Sequence, residues 1–470
     1  MSGLRVTNSA LGTITLHDPS IGVYGQVRYV PASPEPMPAT QDDAHLDDGG
    51  ETPYVVLPNV SDTAEIYTDQ VNLAGLRTLF QSLGLMWEQA RVYQRHRVGS
   101  PVYWEWRPDD SGAWLRSEIL YGSDNGKDDM LDAWMAPAGK AYLKLTVLRR
   151  FYFEGAETYV TLSNGNGTAS TGLTVQNTND GSNDHWVTIT STIVGDLPAP
   201  CRIEYTNNYS SGTNTANLLL ALSARATPAA ADLILEAESM ASLVGSPSTQ
   251  TGGSYSNGSQ KTWSWTGTAQ QSLGYWTLSS ALLSACQGQW YRVIARITAS
   301  SALYQIRYNL KISNISPLID GQWSSPSAAQ GGLIDLGAVQ LPPYLRGVTG
   351  TFNTLTMGLD VRGTGASAYT VPIDCLYILP TESWRLVRQQ GFGLAQNRRL
   401  WDDAMLDRTY TDDAAGSAVL GNYVPDGSPI MLQPGMTNRL YCLVTPASGG
   451  NEIARSGSLR IAYRPRYRKI

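Results

Sequence analysis

Charge is sparse in this chain of 470 residues: charged side chains make up 16%, and 34 Lys and Arg face 40 Asp and Glu for a net charge of −6. Binding to a phosphate backbone needs concentrated Lys and Arg, so this balance argues against a nucleic-acid partner and against sequence-specific contact with one. Cysteine is almost as scarce. Cys201, Cys286, Cys375 and Cys442 form no CxxC pair and adjoin no His, which argues against a zinc site or a dense disulfide framework and leaves buried free thiols. The four histidines, His17, His45, His96 and His185, stand far apart and beside no nucleophile or metal motif, so they read as surface or turn residues. There is no run of 18 apolar residues, and the start lacks the apolar segment of a signal peptide. The expectation is a protein made in the cytoplasm, without membrane insertion. GxSxG, GxxxxGKS/T, HExxH and a GxGxxG between strand and helix are all missing, which removes the usual hydrolase, nucleotide and zincin readings and leaves no catalytic residue to assign. Paired carboxylates at Asp128-Asp129, Asp402-Asp403 and Asp412-Asp413 could in principle cut a glycosidic bond, but such pairs are usually solvated turns.

What the chain does have is Tyr and Trp: 25 and 13 copies against five Phe. Aromatics with a polar tip suit half-wet surfaces, whether sheet margins, interfaces or sugar-binding faces. Residues 4–30 read as two or three short strands. Pro31 to Pro53 is proline-rich and acidic with few apolar residues, hence a long exposed loop. One convincing helix follows over about Val71 to Arg97, where Leu73, Leu76, Phe80, Leu83, Trp87 and Ala90 recur at steps of three and four. Val102 to Trp106 and Ala113 to Tyr121 form a hairpin signal, and Ala141 to Phe153 adds a strand. Residues 1–155 thus predict a sheet with one packed helix. Beyond them, short strands alternate with Gly, Asn, Ser and Thr clusters, the texture of a sandwich. Ala226 to Asp232 looks like a linker. The prediction is mainly β: residues 231–381 as a self-contained domain, and 156–230 plus 382–470 as one discontinuous β-sandwich.

Several passages resemble siphophage tail proteins of the distal-tail or baseplate-hub kind. They are LMWEQARVYQRHRVGSPVYWEWRPD with WLRSEILYG, then YVTLSNG leading to GDLPAP, and finally LQPGMTNRLYCL with LRIAYRPRYRKI. The resemblance implies a tail-tube-like β domain with one packed helix at residues 1–155, forming a ring of copies, six in that family, followed by outward sandwiches. It further implies a virion structural protein without enzymatic activity, whose ring joins the tail tube to the adsorption apparatus and meets neighbouring tube and baseplate proteins. The 31–53 loop is then either a contact to the next ring or a plain surface loop.

A second resemblance covers residues 231–381 and rests on Leu235-Glu236-Ala237-Glu238, Tyr275-Trp276, Tyr291-Arg292-Val293 and Ile373-Asp374-Cys375-Leu376-Tyr377. These look like jelly-roll carbohydrate-binding modules. The resemblance implies calcium as the one candidate cofactor, held by Glu236, Glu238 and Asp374; the alternative is that the glutamates form an ordinary solvated strand face. It also implies Trp263, Trp265, Tyr275 and Trp276 as sugar-stacking platforms, with burial in the core as the competing reading. A host-surface polysaccharide-binding adhesin is accordingly the alternative function.

Overall fold

The computed structural model describes residues 3–18, 26–33, 58–68, 73–108, 112–124, 141–177, 184–208, 214–224, 233–252, 255–279, 282–283, 290–298, 302–312, 316–325, 332–341, 354–381, 383–389, 393–406, 408–412, 418–420, 423–446 and 456–468. Most of the expected 31–53 loop, the expected 226–232 linker, His45, Cys286 and the Asp128-Asp129 pair lie outside them. The protein is mainly β, with antiparallel sheets and one long α-helix among the described residues. Among the described residues no helix is both long and apolar enough to cross a membrane.

The chain forms two compact units, one of residues 1–157, 194–197 and 464–470, the other of 158–193 and 198–463. In the first, a nine-stranded sheet runs in the order Gly12–His17, Gly3–Asn8, Val102–Arg107, Leu115–Asp124, Ala141–Arg149, Val60–Thr68, Gln26–Arg28. The predicted hairpin is present, with Tyr103 opposite Glu118. Phe153–Glu154 pairs with Arg466–Tyr467, so the last residues close this unit. That return to the first unit is absent from the sequence prediction.

The helix spans Leu73–His96 and ends where Arg97 and Gly99 take positive φ, with Gln89 Nε2 donating to the carbonyls of Val98 and Ser100. Its buried stripe is Leu79, Leu83, Met86, Ala90 and Tyr93, again at steps of four and three. Phe80 and Trp87, predicted at its centre, flank it instead. Trp87 packs over Gly122, where a Cβ would meet its ring at 2.2 Å. A side chain there would displace the helix from the sheet.

A buried ion pair holds the far side of this sheet. Arg149 and Asp62 are 1% and 0% exposed, with Nε 2.6 Å from Oδ2. Asp62 also accepts from the Tyr29 hydroxyl and the Ala32 amide, while Arg149 donates to the Ala32 and Arg150 carbonyls. Every strong group of the pair therefore has a partner.

The second unit contains two facing sheets around an apolar core of Val175, Ile203, Leu218, Leu220, Val387, Leu440, Cys442, Leu459 and Ile461 among others. One sheet runs Gly167–Ala169, Leu162–Asn164, Trp186–Ile189, Arg439–Pro446, Thr215–Ser223, Ser383–Gln389, Tyr423–Gly427. The other is built on Ala199–Asn207, paired with Ser456–Tyr463 on one side and Arg399–Asp403 on the other. Thr215–Ser223 and Ser383–Gln389 are direct neighbours, Leu220 opposite Arg385. Between them in sequence, residues 233–381 build two further sheets, one centred on Ala368–Pro380 and one on Leu355–Gly363.

These layers share side chains. Leu218, Leu220 and Leu222 point into the first core, whereas Leu219 and Ala221 join the core of residues 233–381. On the neighbouring strand, Leu440, Cys442 and Val444 face one way and Tyr441 and Leu443 the other. A strand buried on both faces reads as a continuous apolar run, which explains Leu218-Leu219-Leu220-Ala221-Leu222. Cys201, Cys375 and Cys442 are buried and form no disulfide, and burial pushes each thiol up, away from the reactive thiolate.

Replacing Asp62 by Leu leaves the Arg149 guanidinium buried without its carboxylate. We expect a loss of about 3–5 kcal/mol in the stability of the first unit, measured by urea denaturation. Asp62→Leu combined with Arg149→Met should recover most of it, and equal losses in the single and double variants would refute the assignment.

Candidate functional site

One sheet of the second unit, with the turn that follows its strand Ile234–Glu236, brings the three predicted acidic residues together. The strand Ile234–Glu236 pairs with Ala368–Pro380, placing Glu236 opposite Cys375 and beside Asp374. A 3-10 turn, Ala237–Ser239, follows at once and carries Glu238 out of the strand. A second 3-10 turn, Ser256–Gly258, lies against both, with Asn257 at φ 48 and Gly258 at φ 78.

All three carboxylates engage that second turn. Ser256 Oγ donates to Glu236 Oε1 at 2.7 Å, the Ser256 amide to Asp374 at 3.1 Å, and Asn257 Nδ2 to Glu238 Oε1 at 2.9 Å. Glu236 Oε2 and Glu238 Oε2 are buried without a hydrogen-bond donor. The solvated-face alternative does not describe this turn.

Charge balance comes from Arg296, 1% exposed, whose Nε lies 3.0 Å from Asp374 Oδ2. Arg296 Nη1 also donates to the Asn177 carbonyl, which accepts the Tyr377 hydroxyl at 2.8 Å. Asn177 in turn brackets the backbone of Val444, accepting its amide at 2.9 Å and donating to its carbonyl at 2.7 Å. Burial pushes the Glu236 carboxyl up to about 8 and Asp374 up to about 6, Arg296 pulling both partly back.

For calcium, carboxylate oxygens are the right donor type, and two of them, Glu236 Oε2 and Glu238 Oε2, lack hydrogen-bond donors. The arrangement is not a ready cage, however. Asp374 is committed to Arg296, and among the described residues no group of three or more His, Cys, Asp or Glu is placed to hold a metal ion.

The four predicted aromatic platforms separate into two pairs. Trp263 is fully buried with its indole N–H on the Val244 carbonyl at 3.0 Å, and Trp276 is 2% exposed with its N–H on the Glu236 carbonyl at 2.7 Å. Neither presents a ring to solvent, a correction to the sequence expectation. Trp265 and Tyr275 are half-buried. Trp265 stacks on Trp263 at 6.5 Å, and Tyr275 accepts from Ser242 Oγ at 3.3 Å.

The remaining sequence candidates have structural roles. Asp402 receives Arg385 and Thr409, and Asp403 accepts the amides of Met405 and Leu406 in a turn. Asp412 receives the amide and Nε of Arg399. His185, expected at the surface or in a turn, lies in a bend and is buried against the rings of Tyr377 and Tyr441, and His96 is exposed at the helix end.

The raised carboxyls predict a pH dependence. Their folded values lie above the ordinary ones, so the stability they contribute is complete below the ordinary carboxylate range and is lost as pH rises through about 6 and about 8. Thermal melting should fall across that window, and Glu236→Gln should flatten the upper part of the decline. An unchanged slope in the variant would show that Glu236 is ionised in the folded protein.

Comparison with known proteins adds little. No protein-family model matches the chain, and no curated protein matches it. Among solved structures, it is similar to the Dit protein of bacteriophage SPP1, described as a paradigm of the hub adsorption apparatus in phages infecting Gram-positive bacteria. The identity is 9%, the TM-score 0.33, and the match covers 98% of both chains.

Proposed function

We propose that the protein is a structural subunit of a bacteriophage tail tip, with the first unit building a ring of copies, six by the sequence resemblance, that joins tail tube to adsorption apparatus. The observation that carries the reading is the order of architecture along the chain. A sheet with a single packed helix is followed by stacked β-sandwich sheets, the order that the tail-protein resemblance implies. Residues 156–230 with 382–470 act as one sandwich in this reading, and 231–381 as a module inserted into it.

The ring needs a sticky surface on the first unit. One face of its sheet is covered by the helix at Gly122 and Trp87, and side chains alternate across a strand, so Tyr121 faces the other way. Tyr121 is 56% exposed and opposite Leu148, itself 37% exposed. Aromatic and aliphatic neighbours on an open sheet face suit a contact between copies. The 31–53 loop and the outer face of the helix are further contacts in this reading.

The second reading, a polysaccharide-binding adhesin, is favoured by the half-buried Trp265 and Tyr275 on residues 231–381. Deleting 231–381 from an assembled particle separates the two: an adhesin loses adsorption to cells, a structural insert does not. Calcium at Glu236, Glu238 and Asp374 belongs to this second reading and requires Asp374 to release Arg296. It should then raise the melting temperature at pH 8 in the parent chain and not in Glu236→Gln.

Mass photometry and negative-stain imaging test the ring. We expect closed rings of the parent chain. Tyr121→Glu with Leu148→Glu should weaken assembly by at least about tenfold in concentration, the effect of removing a hot spot. A parent chain that stays monomeric at all concentrations would overturn the proposal.

A further inference from the structure

Away from the acidic turn, residues 233–381 carry a cleft of about 510 Å3, lined by Arg292, Tyr308, Asp320, Trp323, Asp335 and Gly337 among others. It opens between two edge strands. Leu333–Gln340 ends one sheet and Ser316–Asp320 ends the other, so the cleft occupies the open side of the two-sheet stack.

Both walls are built rather than incidental. On one, Leu333–Gln340 carries an extra residue relative to its partner, since Arg292 faces Ala338 while Ile294 faces Asp335. Gly337 takes φ +96 in this bulge, and its amide donates to Asp335 Oδ1 at 2.9 Å, which fixes the carboxylate at the rim. Bulges at sheet edges redirect side chains in this way. On the other wall, the segment after Asp320 is zipped to the neighbouring strand: the Gly321 amide donates to Tyr308 O at 2.9 Å, and Ser324 N to Ile306 O at 2.8 Å. Ser324 Oγ accepts the Ile306 amide at 3.0 Å. Tyr308 bridges the walls, its ring pressed on Gly321, where a Cβ would meet it at 2.7 Å, and its hydroxyl on the Ala338 carbonyl at 2.7 Å. Trp323 is held by the guanidinium groups of Arg307 and Arg362, 4.7 and 4.4 Å from its ring.

Charge around the cleft is balanced. Arg292 Nε donates to Asp335 Oδ2 at 2.7 Å, Arg307 is shared between Asp320 at 3.1 Å and Asp360 at 3.2 Å, and Arg362 stands beside Trp323. A strongly charged ligand therefore gains little. Adjacent carboxylate acceptors and guanidinium donors suit groups that both donate and accept, and an indole suits a surface of C–H groups. A pyranose ring offers both, and the volume is in the ordinary range for a small-molecule site.

We infer that this cleft binds a neutral oligosaccharide, with Trp323 as the stacking surface and Asp335, Arg292 and Asp320 as the hydroxyl partners. The inference rests on the polysaccharide-binding reading of residues 231–381 and moves the contact from Trp265 and Tyr275 to the opposite set of strands.

The test uses the full chain and a panel of neutral tetrasaccharides of the β-glucan, α-glucan, chitin and mannan series, with an acidic uronic-acid polymer beside them. Binding is read by titration calorimetry, and folding of each variant by its melting temperature. We expect at least one neutral tetrasaccharide to bind, with affinity lowered at least about tenfold in Trp323→Ala and in Asp335→Asn. Ser325→Trp, which fills the cleft from an exposed position without removing a buried contact, should block binding in a chain that melts like the parent. Binding that survives all three variants and is lost in Trp265→Ala would overturn the cleft while keeping the polysaccharide reading. Failure of every neutral member of the panel, or preference for the uronic-acid polymer, would overturn the proposal itself.

Discussion

A buried cation, Arg296, ties together the layers of the second unit. Arg296, at 1% exposure, can stay charged only where a carboxylate and further acceptors surround it, and the fold supplies Asp374, the Tyr377 hydroxyl and the Asn177 carbonyl. Each partner is fixed by something else. Asp374 receives the amide of Ser256, which orders the acidic turn, and Asn177 brackets the main chain of Val444 in the sandwich sheet. The sheet centred on Ala368–Pro380 is thereby joined to the sandwich by directional bonds as well as by apolar contact. Apolar burial alone is non-directional, and it would leave the register between the two layers open.

The shared core makes that register matter. The Ala368–Pro380 strand is buried from Val371 to Leu379, with no outer face to give to solvent. Tyr377 stacks near His185 at 4.7 Å and donates to Asn177, both residues of the sandwich. Across the same junction, Leu219, Ala221, Tyr441 and Leu443 of the sandwich contribute to the core of residues 233–381. A slip of one residue on Thr215–Ser223 would exchange Leu218, Leu220 and Leu222 with Leu219 and Ala221 between two cores of different shape. Leucine on both faces tolerates such a slip better than alternating polar and apolar residues do, so directional bonds distinguish the registers: Asn217 donates its amide and Nδ2 to Thr445 Oγ1, and the Tyr423 hydroxyl donates to the Thr215 carbonyl.

How much of this was legible in the sequence depended on the range of the interaction. The hairpin, the helix and the mainly β texture rest on local spacing and are where the sequence places them. The helix stripe is displaced because Leu79, Met86 and Tyr93 make a second three-four series with Leu83 and Ala90, which the chosen series shares. Only contact with the sheet decides between the two series. Glu236 and Glu238 were legible as a pair, but the turn at Ala237 that redirects Glu238, and the Arg296 partner of Asp374, come from distant strands. Trp263 and Trp265 share a strand face by alternation, yet one is fully buried and the other half-buried. Position along the strand, which composition cannot report, separates them. Trp323 carried no signal at all, since its setting requires a bulge in one sheet and the edge of another.

Where recognition can occur follows from the same packing. Strands buried on both faces have no surface to offer a ligand, so any recognition by residues 233–381 falls to the outer faces, the turns and the sheet edges. Edge strands carry unpaired main-chain groups and are hazardous unless blunted. In Leu333–Gln340 the bulge at Gly337 and the Arg292–Asp335 pair interrupt the regular ladder and put charge at its margin, devices that oppose pairing with another strand. They also gather donors, acceptors and a nearby indole around one cleft. Protection of an edge and construction of a polar binding surface need the same groups in the same place, so an edge secured in this way needs only a rigid aromatic neighbour to become a site. Trp323, zipped into position through Ser324 and stacked by Arg307 and Arg362, is that neighbour.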